Sequence, residues 1–196
     1  MKKIISTACI SALVFMAVSC NQKDEESAIV PSVQATMERE FDFLESTETD
    51  KASYTLGLSE MQLLSDDDKL EIMFAPTRPV GKDAVVFKIK KSELANGYIG
   101  TYTIRSLSNG KAGNSDLTYY HYYNKTGSTA LFSSGNSMEG NIEIKSFDSA
   151  TGLASGSFVV NIKNVTDPAS NEINPAKPRK CDIAVKGEFH NLKLKR

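Results

Sequence analysis

The sequence predicts an all-β fold: an antiparallel β-sandwich or barrel of about nine or ten strands, with the sandwich favoured. Three observations predict it. From about Ser53 onward apolar residues recur with period two, which places alternate side chains on opposite faces of extended strands. Helical spacing is nearly absent over the same stretch, and turn-forming residues interrupt it at hairpin intervals.

Taken in chain order, Val33 to Leu44 fits either one helical face (Val33, Met37, Phe41, Leu44) or two short strands (Val33-Ala35-Met37 and Phe41-Phe43), and the strands are preferred. Next come Leu70-Ile72-Phe74, Val85-Phe87-Ile89, Tyr98-Tyr102-Ile104, Ile142-Ile144, Phe158-Val160-Ile162 and Ile183-Val185-Phe189, each an apolar face. Lys88, Lys90, Thr101, Thr103, Arg105, Glu143, Lys145, Lys163, Lys186 and Glu188 fall on the opposite, wet side. Turns are expected at Ser65 to Asp68, Ala95 to Gly97, Ser108 to Gly110, Lys125 to Gly127, Gly135 to Ser137 and Thr151-Gly152. Asn164 to Pro178 contains Pro168, Pro175 and Pro178, which cannot donate to a ladder, so an exposed loop is expected there. No repeat of fixed period is visible, which disfavours a solenoid or propeller. Residues 33–196 thus read as a single β-rich domain.

The N-terminus has a different character. Lys2 and Lys3 precede an apolar run from Ile4 to Val18 broken only by Ser6, Thr7 and Ser11, the pattern of a secretory signal peptide. A bilayer-spanning helix needs about 20 apolar residues, and here Ser19-Cys20 is followed at once by Asn21-Gln22-Lys23-Asp24-Glu25-Glu26. Ala17-Val18-Ser19-Cys20 resembles a bacterial lipobox, with Ala17 where leucine is more typical. The resemblance implies that residues 1–19 are a lipoprotein signal peptide and that Cys20 is lipidated. Two or three acyl chains, at about 0.8 kcal/mol per buried CH₂, hold a soluble domain durably where one does not. Residues 20–32 then form an acidic tether. Within it Gln22, Lys23, Asp24, Glu25 and Glu26 resemble the export signal that sends some Bacteroidota lipoproteins to the outer face of the outer membrane.

Composition sets further bounds. The chain has 196 residues and a formal net charge of -1, Lys2 and Lys3 included, so the mature part is mildly acidic and no nucleic-acid partner is expected. Asn21 to Asp50 holds nine acids and two bases, whereas Lys177 to Arg196 holds seven bases and two acids. Lys186, Lys193, Lys195 and Arg196 are therefore expected on the solvent side of a basic C-terminal edge, protecting it from pairing with other chains. Cys9 lies in the leader and Cys20 at the anchor, which leaves Cys181 alone and expected to be buried and inert.

In the C-terminal half, Gly140-Asn141-Ile142-Glu143-Ile144-Lys145-Ser146-Phe147-Asp148, Ala154-Ser155-Gly156-Ser157-Phe158-Val159-Val160 and Val185-Lys186-Gly187-Glu188-Phe189-His190-Asn191-Leu192 resemble the ending of uncharacterised, β-rich Bacteroidota lipoproteins. The resemblance implies fold and location and transfers no catalytic residue. Physically the motif is structural. Asp148 can bond a turn backbone, Gly156 permits a bulge or close backbone approach, and Gly187 relieves crowding within a strand. Asp148-Ser149-Ala150 also resembles the site at which Bacteroidota O-glycosylate exported proteins, which makes Ser149 a candidate acceptor.

Chemistry is sparse. His121 and His190 are the only histidines, and no His-x-x-x-His or Cys-x-x-Cys spacing seeds a metal site, so no metal or cofactor is expected. Asp66-Asp67-Asp68 lacks the alternation and following glycine of a calcium loop and reads as a solvated turn. No Gly-x-Ser-x-Gly elbow or phosphate-cradling loop occurs. The most functional-looking feature is Leu117-Thr118-Tyr119-Tyr120-His121-Tyr122-Tyr123. On a strand Tyr119, His121 and Tyr123 share one face, Tyr120 and Tyr122 the other. Rigid aromatic side chains stack on sugars and anchor protein partners, though they also stabilise sheets by cross-strand pairing.

The expectation is a non-catalytic surface lipoprotein of the outer membrane that binds a glycan or an envelope protein through Tyr119, Tyr120, Tyr122 and Tyr123. A lipocalin-like carrier of a small apolar ligand is the alternative. A carboxylate-based hydrolase comes third, since two carboxylates suffice for glycoside hydrolysis.

Overall fold

A computed structural model describes residues 32–57, 61–76, 83–94, 96–122, 129–168 and 178–195. The signal peptide, Cys20, the Gln22 to Glu26 segment and Tyr123 lie outside the described residues.

Among the described residues eleven strands are formed: β1 Gln34–Phe43, β2 Thr49–Leu56, β3 Met61–Ser65, β4 Lys69–Phe74, β5 Asp83–Lys90, β6 Gly100–Thr103, β7 Ser115–Tyr122, β8 Thr129–Phe132, β9 Ser137–Asp148, β10 Leu153–Thr166 and β11 Lys180–Lys195. They make one open sheet in the order β6-β9-β10-β11-β3-β4-β5-β7-β8, with β1 on β11 and β2 on β1. Strand β11 carries the fold. Its stretch Cys181 to His190 pairs with β1, and its end, Leu194-Lys195, runs parallel to Leu63-Leu64 of β3. The sheet thereby doubles over into two layers, β2-β1-β11-β10-β9-β6 (layer A) and β3-β4-β5-β7-β8 (layer B). All other strand pairings are antiparallel, as expected of a sandwich.

The inner faces are filled by the residues whose period-two spacing marked them. The ring centroids of Phe74 and Phe158 lie 4.8 Å apart, those of Phe74 and Phe189 5.5 Å, and those of Phe87 and Phe158 5.3 Å, so aromatic contacts join the layers at the centre. The C-terminal motif acquires a physical reason. In the β10–β11 register Gly156 lies opposite Phe189, and Phe158 opposite Gly187. A Cβ on Gly187 would sit 2.5 Å from the Phe158 ring, and one on Gly156 2.7 Å from the Phe189 ring. Each glycine leaves room for the phenylalanine across from it. The ladder also shifts register at Ser155/Gly156, the bulge that Gly156 allows.

Several expectations need correction. Within the Val33 to Leu44 region, Gln34–Phe43 is one continuous strand rather than two short ones, with Arg39 filling the inward position between Met37 and Phe41 that no apolar residue occupies. Asn164 to Pro178 is not wholly loop: β10 continues to Thr166, with Val165 opposite Cys181 and Thr166 opposite Lys180, and Val165, Asp167 and Pro168 are buried. Residues 169–177 lie outside the described residues. The turns near Asn96-Gly97 and at Gly135 to Ser137 are not hairpins. They pass the chain between layers, from β5 to β6 and from β8 to β9. Nor is the basic C-terminus an edge. Lys186, Lys193 and Lys195 are exposed, but β11 has partners on both sides; Arg196 lies outside the described residues.

Candidate functional site

A buried polar cluster lies at the end of the sandwich where β5 begins and β7 ends, apart from the Asp167–Arg179 pair at 3.0 Å. Asp83 is fully buried. Its Oδ1 accepts hydrogen bonds from the Tyr119 hydroxyl (2.5 Å) and from His121 Nδ1 (2.8 Å). An ionised carboxylate only accepts, so the His121 hydrogen sits on Nδ1. Asp83 Oδ2 accepts from the Tyr54 hydroxyl (2.5 Å) and from Arg39 Nε (3.2 Å). Arg39 in turn donates through Nη1 to the Asp50 carbonyl (2.9 Å) and pairs with the Asp50 carboxylate (3.0 Å).

The electrostatics follow from this geometry. Burial alone would raise the Asp83 pKa; the His121 hydrogen bond, the Arg39 charge and the Tyr119 and Tyr54 hydroxyls outweigh it and hold it at about 2. Burial and the adjacent carboxylate push the Tyr119 phenol well above its ordinary value. With two donors on each oxygen, Asp83 has no lone pair left for a substrate proton. The cluster is an internal counter-ion joining β1 and β2 of layer A to β5 and β7 of layer B.

The alternation expected for the tyrosine strand is observed, and it divides the candidate site. Tyr119 and His121 point inward and are spent on Asp83, so Tyr119 does not reach the surface. Tyr120 and Tyr122 point outward and are half-buried, their ring planes 5° from parallel and their centroids 6.3 Å apart. Tyr120 lies opposite Ala84 of β5 and Leu131 of β8; Leu131 is 55% exposed. Met73 is opposite Val86, and Val86 opposite Thr118. Around this band, from Gln62 on β3 to Thr129 on β8, the outer face of layer B carries no charged side chain among the described residues. Its charges, Lys69, Glu71, Lys88, Lys90 and Asp116, are gathered toward the β3–β4 hairpin.

The outer face of layer A is of another kind. A shallow groove of about 380 Å³ lies over β2, β1, β11 and β10, crossed by the ion pairs Lys186–Glu38 (2.9 Å) and Lys51–Glu40 (3.0 Å). Such cross-strand pairs are the usual dressing of a solvated sheet.

The remaining sites fall at surface turns or in the core. Asp66 Oδ1 accepts the backbone N–H groups of Asp68 and Lys69, an Asx turn. Asp148 accepts the Ala150 N–H and the Thr151 hydroxyl, leaving Ser149 exposed on the β9–β10 turn. Cys181 is buried, and burial pushes its thiol up to about 12. Among the described residues no three His, Cys, Asp or Glu side chains are placed to hold a metal, and no helix is long and apolar enough to cross a membrane.

Arg39 and Asp83 were missed in the sequence because a charged residue reads as an interruption of an apolar period. The available signal was Arg39 itself, standing at the inward step between Met37 and Phe41. Comparison with protein-family models, with curated proteins and with solved structures finds no match to this chain.

Proposed function

We propose that this chain is a non-catalytic lipoprotein, held at the bacterial outer membrane through Cys20 and displayed on the cell surface, that acts by binding a partner through the outer face of layer B. The observation carrying this reading is the contrast between the two outer faces. Layer A bears interleaved charges, whereas half of layer B presents Tyr120, Tyr122 and Leu131 with no charged side chain among the described residues. A charge-depleted centre containing tyrosine and methionine, bordered by charges, is the make-up of a protein interface. Saccharide recognition needs convergent polar groups to meet paired hydroxyls, and this half-face offers few beyond hydroxyls and Gln62. The binding reading therefore favours an envelope protein over a glycan. The carrier reading is disfavoured by the phenylalanine contacts that occupy the centre of the sandwich, and the hydrolase reading by the saturated carboxylate of Asp83.

The test is retention of labelled protein on envelope preparations from the native host. A Tyr120→Ala/Tyr122→Ala variant is expected to lose retention while keeping its circular dichroism spectrum. Retention equal to wild type would remove this face from the proposal.

A further inference from the structure

We propose that Asn109 is a site of spontaneous deamidation, and that its conversion unfastens the turn between β6 and β7 from the start of β9. Ring closure needs an exposed asparagine whose successor offers a backbone nitrogen with no side chain beside it. Among the asparagines whose side chains are described, Asn109 alone is followed by glycine; the others precede serine, isoleucine, valine or leucine. Asn109 and Gly110 are both exposed, and no atom beyond the chain neighbours lies within 4 Å of where a Gly110 Cβ would sit. There is room for a ring. The Gly110 N–H meets the Leu107 carbonyl only at 3.4 Å, beyond the usual value of about 2.9–3.0 Å, so little holds its proton.

In the step, the Gly110 backbone nitrogen gives up its proton and attacks Asn109 Cγ. The N–Cγ bond forms, the Cγ–Nδ2 bond breaks, and Nδ2 leaves as ammonia after taking up a proton. Water then opens the succinimide at one of its two carbonyls, giving aspartate or, with the chain rerouted through Cγ, isoaspartate. The consequence follows from what Asn109 holds. Its Nδ2 donates to the Met138 carbonyl of β9 at 3.1 Å and to Ser137 Oγ at 3.5 Å. Either product is a carboxylate, which only accepts, so the Met138 carbonyl loses a donor and faces a negative charge. Isoaspartate also lengthens the backbone between Ser106 and Lys111, whose mutual hydrogen bonds of 2.8 and 3.1 Å close the turn. Ser106 keeps its own bonds to the Asn136 carbonyl and the Met138 N–H. The loosening is therefore confined to the turn, and the sandwich stays folded.

The experiment is timed incubation of the purified full chain at mildly alkaline and mildly acidic pH, read by peptide mass mapping with fragmentation that separates aspartate from isoaspartate. Conversion is expected at Asn109 ahead of Asn136, a turn asparagine whose successor carries a side chain. It is expected to run several-fold faster at alkaline pH, because the attacking nitrogen must lose its proton. Amide hydrogen exchange is then compared in wild type and Asn109→Asp, which reproduces one product. The Lys111 amide is expected to exchange roughly tenfold faster or more in the variant, and the β1 amides at the same rate. An Asn109 that stays intact, converts no sooner than Asn136, or converts at a rate indifferent to pH overturns the site. Equal exchange at Lys111 in the two proteins overturns the unfastening.

Discussion

Asp83 is the single side chain on which the two layers most depend for polar contact. Replacing it with asparagine keeps the volume but removes the buried counter-charge of the Arg39 guanidinium, leaving only the half-exposed Asp50 carboxylate at 3.0 Å. Breaking a buried pair from one side typically costs about 3–5 kcal/mol. Asp83→Asn is expected to lower the urea midpoint correspondingly with an unchanged m-value; a loss under about 1 kcal/mol would mean that solvent reaches Arg39. The same residue sets an acid limb. Its carboxyl is held at about 2 in the folded chain against about 3.9 in the unfolded one. It therefore stabilises fully above the unfolded value and loses that contribution as pH falls through 2. The difference is worth roughly 2.5 kcal/mol. Urea titrations from pH 5 to pH 2 should show a shallower decline in Asp83→Asn than in wild type, and parallel curves would refute the assignment.

At the scale of elements, the reciprocal Gly–Phe pairs of β10 and β11 explain why the C-terminal motif has its form. Two strands run antiparallel, each with glycine two residues before phenylalanine, and the register sets each ring over the other strand's glycine. A methyl group at Gly187 would strike the Thr36 carbonyl oxygen of β1 and, at 2.5 Å, the Phe158 ring, whose own contacts with Phe74 and Phe87 leave it little room to move. Gly187→Ala is expected to cost about 1–3 kcal/mol, the usual range for overpacking. Pairing it with Phe158→Leu should recover part of the loss in chemical denaturation. Additive losses would show that the Thr36 carbonyl oxygen, not the ring, sets the cost.

At the scale of the whole molecule, the proposed address resides in residues 20–32 and the proposed binding surface in layer B, so the two can be tested apart. Protease shaving of intact native-host cells is expected to remove the wild-type protein. A variant with Lys23, Asp24, Glu25 and Glu26 replaced by alanine is expected to be spared. If neither is shaved, the protein faces the periplasm and its partner belongs to the envelope interior. The topology has a kinetic consequence as well. With β1 paired to β11 and β3 set beside the final residues, native contacts span most of the chain, and folding belongs in the slow range of all-β domains, about milliseconds to seconds.

Much of this fold was legible in advance because a strand's side-chain period is two whatever its neighbours are. The inward sets from Leu70 to Phe74, Val85 to Ile89, Phe158 to Ile162 and Ile183 to Phe189 are all buried at the positions that alternation assigns. The outward placement of Tyr120 and Tyr122 against the inward placement of Tyr119 and His121 follows from the same rule. What alternation cannot supply is which strands become neighbours. The doubling of β11 between β1 and β3, the crossing turns after β5 and β8, and the meeting of Arg39 with Asp83, 44 residues apart, depend on contacts between segments distant in sequence. An isolated arginine and aspartate look like two interruptions. Only when the layers close do they become one ion pair, because the low-dielectric interior that makes each charge costly also makes their pairing strong.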